Sequence, residues 1–292
     1  VTIDCIGLPY PVVQQIRDAV ELSISPGVFD AGQIIVSSTH THSGPDVIGI
    51  WGMDMQHTGT DSTYIRFLVD AAAGTIVKAW KNRQAVIAKY AETTFGAGWV
   101  ENISDNAEID RTAGILQFAT PGGKNIATLT NFACHPTFLG RENTLVSADF
   151  PSGFYKQMKK DVGGINLYLQ GAIGGWVQPE KVARTFEEAE KRGAALATVV
   201  TGALKQSKNL EGSAISFASQ RFEMPVANTM FLQLAGAGVI KRDMGEGTPT
   251  EVAWFSIGNA TFATHPGETS PLYAFATKKL MTGGGSIPTP TH

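Results

Sequence analysis

The chain has 292 residues, 43% hydrophobic and 17% charged, with a formal net charge of −3. That profile belongs to a globular chain long enough to bury a core, and it excludes a disordered segment. The weakly acidic balance excludes a general attraction to nucleic acid or anionic membrane, and no apolar run approaches the ~18 residues of a transmembrane segment.

From the start, Val1–Gly7 reads as a buried strand. A helix follows over 12–23, with Val12, Val13, Ile16, Val20 and Leu22 near helical period. A second buried strand over 33–39 completes a βαβ unit, hence a parallel pair with a right-handed crossover. A long helix is predicted over 62–82, with Ser62 as N-cap and Tyr64, Phe67, Leu68, Ala71, Ile76 and Trp80 on one face. Strands are predicted over 85–93, 113–120, 125–134 and 165–171, with a hairpin turn at Pro121-Gly122-Gly123-Lys124. A second long helix covers 182–206, and a hairpin at Gly258-Asn259 joins 251–257 to 260–264. Cys5 and Cys134 lie in apolar runs and read as buried thiols. The expected fold is α/β: mixed sheets with a βαβ start and later hairpins, helices packed outside, in one domain over 1–292 with a flexible tail at 283–292.

There are six histidines. His40 and His42, His135, and His265 stand where apolar strands run out beside Pro or Gly, and Glu268 follows the last of them. Ligands bind outside the carboxyl ends of strands in open α/β sheets, so these ends predict one convergent site. His57 and His292 lack that setting and read as surface residues. The spacing of Asp46 from His40 does not suit a metallo-β-lactamase pattern, and an amidohydrolase-type barrel is a minor alternative fold. Residues two apart on a strand share a face, so His40 and His42 meet one cavity if the strand continues through Thr41, and diverge if it breaks at 43–45. Two His, one carboxylate and water form a catalytic zinc shell, which brings the pKa of its water to ~7.

Residues 38–45 (STHTHSGP), 131–137 (NFACHPT), 147–153 (SADFPSG), 169–179 (LQGAIGGWVQP) and 265–268 (HPGE) resemble, in this order, segments of the neutral/alkaline (non-lysosomal) ceramidase family. The resemblance implies a zinc-dependent hydrolase that cleaves the amide between a fatty acyl group and a sphingoid base. It implies zinc ligands at His40, His135 and Glu268, with His42 either supporting the ligands from behind or facing substrate. The family's ligand Tyr has no counterpart, because Tyr273 lies too close to Glu268, so the fourth ligand is open. The family's Ser is also absent: in 174–180 (GGWVQPE), Gly175 replaces an Asp and Gln178 precedes Pro179. The chain resembles a short branch of the family without that Ser.

The expected activity is hydrolysis of an amide or ester of a lipid-like acyl compound by metal-bound hydroxide, with Zn²⁺ as cofactor. The alternative is a non-catalytic, metal-containing relative that binds a lipid- or glycan-like ligand. His42, Gln178 and Asp149 are the candidate catalytic residues. Asp149 either orients a ligand His or caps a helix over 152–161, and Gln178 either donates to an oxyanion or is a turn residue. Arg111, Trp51 and Trp176 are the candidate substrate contacts. Beside them, Asp110-Arg111 also reads as a surface ion pair, and the loop 47–55 as either an acyl wall or a buried anchor. The family's habits suggest a secreted or periplasmic protein.

Overall fold

The computed structural model describes residues 1–25, 27–104, 108–180, 183–245 and 247–283. Of the tail expected at 283–292, residues 284–292, with His292, lie outside the described residues. The βαβ start is present. Thr2–Ile3 (β1) runs parallel to Ser37–Ser38 (β2), and Tyr10–Glu21 (α1) lies between them. Pro11 sits in the first turn of α1, where a missing N–H loses no hydrogen bond. Val12, Ile16 and Val20, four apart, form its buried stripe with Arg17, while Leu22 falls beyond the helix and is exposed. Both strands are much shorter than their apolar runs. The bond from Cys5 N to Ile3 O turns the first strand away, and a 3-10 turn at Ala31–Gln33 takes up the start of the second.

Ser62–Lys81 (α2) is capped by Asp61 rather than Ser62. The Asp61 carboxylate accepts from Thr63 N and Tyr64 N and places charge at the positive end of the helix. Its buried face is Leu68, Val69, Ala72 and Ala73, and Phe67 points out, 65% exposed. The small side chains face inward because α1 and α2 share one tight core with Cys5, Ile16 and Val47.

Ile87–Thr94 (β3) and the short Val100–Asn102 (β4) precede the hairpin Thr112–Ala119 (β5) and Asn125–Phe132 (β6). Gly123, at φ +85°, makes its turn. Phe150–Asp161 (α3) leads to Ile165–Gln170 (β7), then to Val177–Pro179 (β8), Phe186–Leu204 (α4) and Lys208–Asn209 (β9). Residue 182, where α4 was expected to begin, lies outside the described residues. The central sheet has the order β7-β6-β5-β3-β9; only β6 and β7 are parallel. This mostly antiparallel, open sheet excludes the barrel alternative. β4 and β8 pair apart from it. α3 and α4 pack together because neither has a side chain at the crossing: a Cβ on Gly193 would stand 2.0 Å from Phe150 O, and one on Gly153 2.3 Å from Glu190 O. Beneath lies an aromatic core of Trp99, Phe132, Phe138, Phe150, Phe154 and Tyr168.

A three-stranded sheet follows. Ile215–Met224 (β10) and Thr229–Gly236 (α5) precede the hairpin Thr248–Ile257 (β11) and Ala260–Ala263 (β12), and Pro271–Met281 (α6) closes the described chain. β11 is the central strand of this sheet. It is tied to α1 by Arg17, whose guanidinium grips Glu251 at 2.8 and 3.1 Å. Among the described residues, no helix is long and apolar enough to cross a membrane. The fold is mixed α/β with several sheets and helices outside them, as the sequence predicts.

Candidate functional site

β2 ends at Ser38, and the chain is then held by Thr39 N on Ile3 O and His40 N on Cys5 O, each at 3.0 Å. His40 adopts φ 68°, a conformation that costs a non-glycine residue about 1–3 kcal/mol. Its Nδ1 meets Ile6 O at 2.5 Å. A carbonyl can only accept, so the proton is on Nδ1 and the inward-facing nitrogen is Nε2. That Nε2 is buried without an aligned hydrogen-bond partner. His135, three residues past β6, has the same arrangement: its backbone N and its Nδ1 both donate to Val177 O, at 2.9 and 2.8 Å. Its ring is fully buried.

Both Nε2 atoms face Glu268, His40 at 3.2 Å from Oε1 and His135 at 3.2 Å from Oε2. Nitrogen lone pairs cannot rest against carboxylate oxygens without positive charge between them. Two protons would make two imidazolium rings 4.9 Å apart in a buried place, whereas one divalent cation serves all the donors. Two imidazole nitrogens with a carboxylate are a donor set that suits zinc, so the residues fit the implied metal.

His42 joins them. Its ring stands edge-on to His40 at 5.0 Å and to His135 at 5.6 Å. The three rings offer nitrogens that lie within 4.8 Å of one another, so His40, His42 and His135 form a group that could bind a metal. The strand breaks before Thr41, yet the two rings do not diverge: the left-handed turn at His40 breaks the alternation of the strand, and His42 N donates to Pro136 O in the His135 loop. The His42 ring reaches solvent, but crowding by the surrounding protein is the largest cause that pushes its pKa down to about 4, against the pull of Glu268. His42 is therefore neutral at neutral pH.

The segment 174–178 forms one wall. Gly174 is required there, since a Cβ would stand 2.5 Å from Glu268 O. Trp176, at φ 65° and 38% exposed, stacks on His135 at 4.7 Å with 22° between the rings. Its Nε1 donates to Gln178 Oε1 at 2.6 Å, and Gln178 Nε2 donates to Glu101 Oε1 at 3.1 Å. The Gln178 amide is thus bound at both ends and fixes the indole over His135. Glu101 carried no signal in the sequence, because only the antiparallel pairing of β4 with β8 puts it opposite Gln178.

The other predicted residues lie elsewhere. Asp149 touches no histidine; it caps α3 and accepts from Phe138 N, Leu139 N and Phe150 N, so it holds the loop after His135. Burial pushes its carboxyl up to about 6 against those three donors. Arg111 is not aimed at a ligand: its guanidinium donates to Gly96 O and Val100 O and braces the turn before β4. Its expected partner Asp110 pairs instead with Lys278 of α6 at 2.6 Å. In the loop 47–55, Val47 and Ile48 are core residues, and Trp51 is exposed, with its backbone N held by Asp46. His265, which shares the strand-end pattern, is outside the cluster. Its nitrogens lie 3.4 Å from Thr269 Oγ1 and 3.1 Å from Thr277 Oγ1, fastening the Glu268 turn to α6. Exposed His57 pairs with Asp54, and Asn131 donates to Leu169 O and Gln170 O across the sheet.

In sequence, the chain is 24% identical over 141 residues to the neutral ceramidase of Pseudomonas aeruginosa, an alignment that covers 42% of this chain and 20% of the relative. In structure, the crystal structure of that bacterium's neutral ceramidase superimposes with a TM-score of 0.76 at 16% identity, over 98% of this chain. The chain has the neutral ceramidase fold. A ceramidase solved in complex with C2 superimposes at a TM-score of 0.74 and 15% identity, again over 98% of this chain. The chain spans 57% and 58% of these two ceramidase chains, a little over half their length. No family model matches it.

Proposed function

We propose that this ceramidase-like chain is a zinc-dependent hydrolase of acyl amides or esters with a lipid-like acyl group. The reading rests on one observation: the tautomers of His40 and His135 are set by Ile6 O and Val177 O so that two lone pairs converge on the Glu268 carboxylate. His40, His135 and Glu268 would hold the zinc. What zinc supplies when bound is Lewis acidity, toward a carbonyl oxygen and toward water.

The chain's own residues do the rest. His42, neutral and facing solvent, accepts a proton at its ring nitrogen and returns it to the leaving amine or alkoxide. Trp176 excludes water from the His135 side and offers an apolar face. Leu145 and Val146 are exposed on a loop that bonds, through Asn143 and Ser147, to Ser43, the residue after His42. The fold shared with neutral ceramidase supports the amide class.

A second reading, a metal-containing relative that binds such a lipid- or glycan-like ligand without cleaving it, is favoured by Gln178. Its amide is tied between Trp176 and Glu101 and supplies no nucleophile where the family has Ser. Metal analysis beside hydrolysis of a panel of acyl amides and aryl esters separates the two. Turnover that vanishes with the metal in His40→Ala is the expected result. Bound metal without turnover on any substrate would leave the binding protein.

A further inference from the structure

One side chain that touches neither ring bonds to both histidine segments. Gln170 ends β7, and its Nε2 donates to Thr39 O and to Cys134 O, both at 2.9 Å. Thr39 and Cys134 are the residues immediately before His40 and His135. On its other side, Oε1 faces Cys134 N and Gly171 N, each at 3.2 Å, and the Tyr168 hydroxyl at 3.1 Å. Two carbonyls on one side and two amides on the other leave one orientation for the Gln170 amide. Both of its N–H groups are used, and its oxygen is fully engaged.

The location of this amide matters. β2 is not a regular neighbour of β7 in the central sheet, since β7 is that sheet's edge and β2 pairs with β1. The His40 segment therefore has no regular backbone ladder to the His135 segment, only the bond from His42 N to Pro136 O at 3.4 Å, and the Gln170 side chain supplies two further links on the other side of His40. The peptide it holds on one side, Thr39–His40, leads into the strained φ of His40. Releasing it would free the turn to relax and move Nε2 away from Glu268.

We propose that Gln170 is the positioning residue that sets the distance between His40 and His135, and so the metal affinity of the site. The proposal rests on the metal reading above. Loss of such a supporting hydrogen bond typically weakens metal binding about 10–100-fold.

The test is titration of the metal-free full chain with Co²⁺, read by calorimetry and by the visible absorption of the bound ion. Gln170→Glu keeps the shape and loses the donors; Gln170→Met is the second variant, with neither donors nor acceptors. Asn125→Ala is the control. Its Nδ2 makes an equivalent clamp, to Gly163 O at 2.9 Å, at the opposite end of β6 and β7, remote from the histidines.

The expected result is a folded Gln170 variant that binds Co²⁺ 10–100-fold more weakly with an altered spectrum, while Asn125→Ala lowers Tm and binds as wild type. Wild-type affinity and spectrum in a folded Gln170 variant would overturn the proposal alone. Equal weakening in Asn125→Ala, or failure of both Gln170 variants to fold, would assign the side chain to general stability and overturn it too. Wild-type protein that takes up no Co²⁺ would remove the metal reading and the proposal with it.

Discussion

Two carboxylates from the last third of the chain meet nitrogen groups from its first half, and they differ in one respect. At Glu251 the charges close. Arg17 is a permanent cation whose fork matches the carboxylate at 2.8 and 3.1 Å, and the second of its terminal nitrogens also bonds Ile34 O. At Glu268 they do not close, because the facing groups are imidazole nitrogens whose protons are committed to Ile6 O and Val177 O. The first arrangement is charge-matched and joins α1 to β11. The second is a donor set that fits a cation. Whether the charges balance without a ligand thus separates a structural pair from a binding centre, although both contain a glutamate against nitrogen.

The largest expected effect lies at the incomplete centre. Glu268→Gln should lose the bound metal and lower hydrolysis about 10³-fold, the scale of a lost electrostatic contact in a transition state. In metal-free protein at pH 8 the same change should leave Tm unlowered. A Tm drop there as large as that of a Glu251 variant would erase the distinction.

Next comes the complete pair. Glu251→Ala leaves a buried guanidinium without its partner and should destabilise the fold by about 3–5 kcal/mol, with no change in metal per folded chain by elemental analysis. Burial raises the Glu251 pKa, but the hydrogen bond and charge of Arg17 outweigh it and leave it lowered from 4.5. A lowered folded pKa means that the pair's contribution is present above pH 4.5 and is lost as the pH falls through the folded value. Denaturant midpoints of wild type and Glu251→Ala should therefore converge in acid.

A smaller effect is expected at His42. His42→Ala should keep the metal and lose about 10²-fold in rate, as for a lost general base or acid. Loss of the metal as well would move His42 from proton carrier to ligand, the other role its position allows.

The smallest effect is at Asp149. Its folded pKa is raised to about 6 from 3.8, so the folded protein retains a proton that the unfolded chain has released. Stability should fall as the pH rises between these values, and Asp149→Asn should flatten that slope in chemical denaturation. An unchanged slope would mean that Asp149 is charged throughout in the fold.

Much of the architecture follows from local chemistry. Apolar runs that end in T-H-T-H, C-H-P and T-H-P-G-E put histidines at strand ends, and P-G-G-K and Gly258-Asn259 make the turns that bring strands back. Periodicity placed α1, α2 and α4 within a few residues, because each must bury one face. It placed the inward face of α2 only in part: Leu68, Tyr64 and Ile76 pack inward as expected, while Phe67 and Ala71 stay exposed and Val69, Ala72 and Ala73 are buried. It also treated His265 like His40 and His135, because all three share one local pattern, and only the turn after His265 decides that Glu268 enters the cluster while His265 bonds to Thr277.

The sequence alone determined the donor types, their order and their positions at strand ends, because those depend on contacts within a few residues. The tertiary structure decided everything that depends on residues far apart. It set the imidazole tautomers through Ile6 and Val177, joined Gln170 to both histidine segments, tied Gln178 to Glu101, and assigned Arg111 and Asp149 to bracing loops. The reason is that a hydrogen bond depends on distance and angle to a particular partner, and no sequence spacing specifies which carbonyl the fold will bring to within 3 Å.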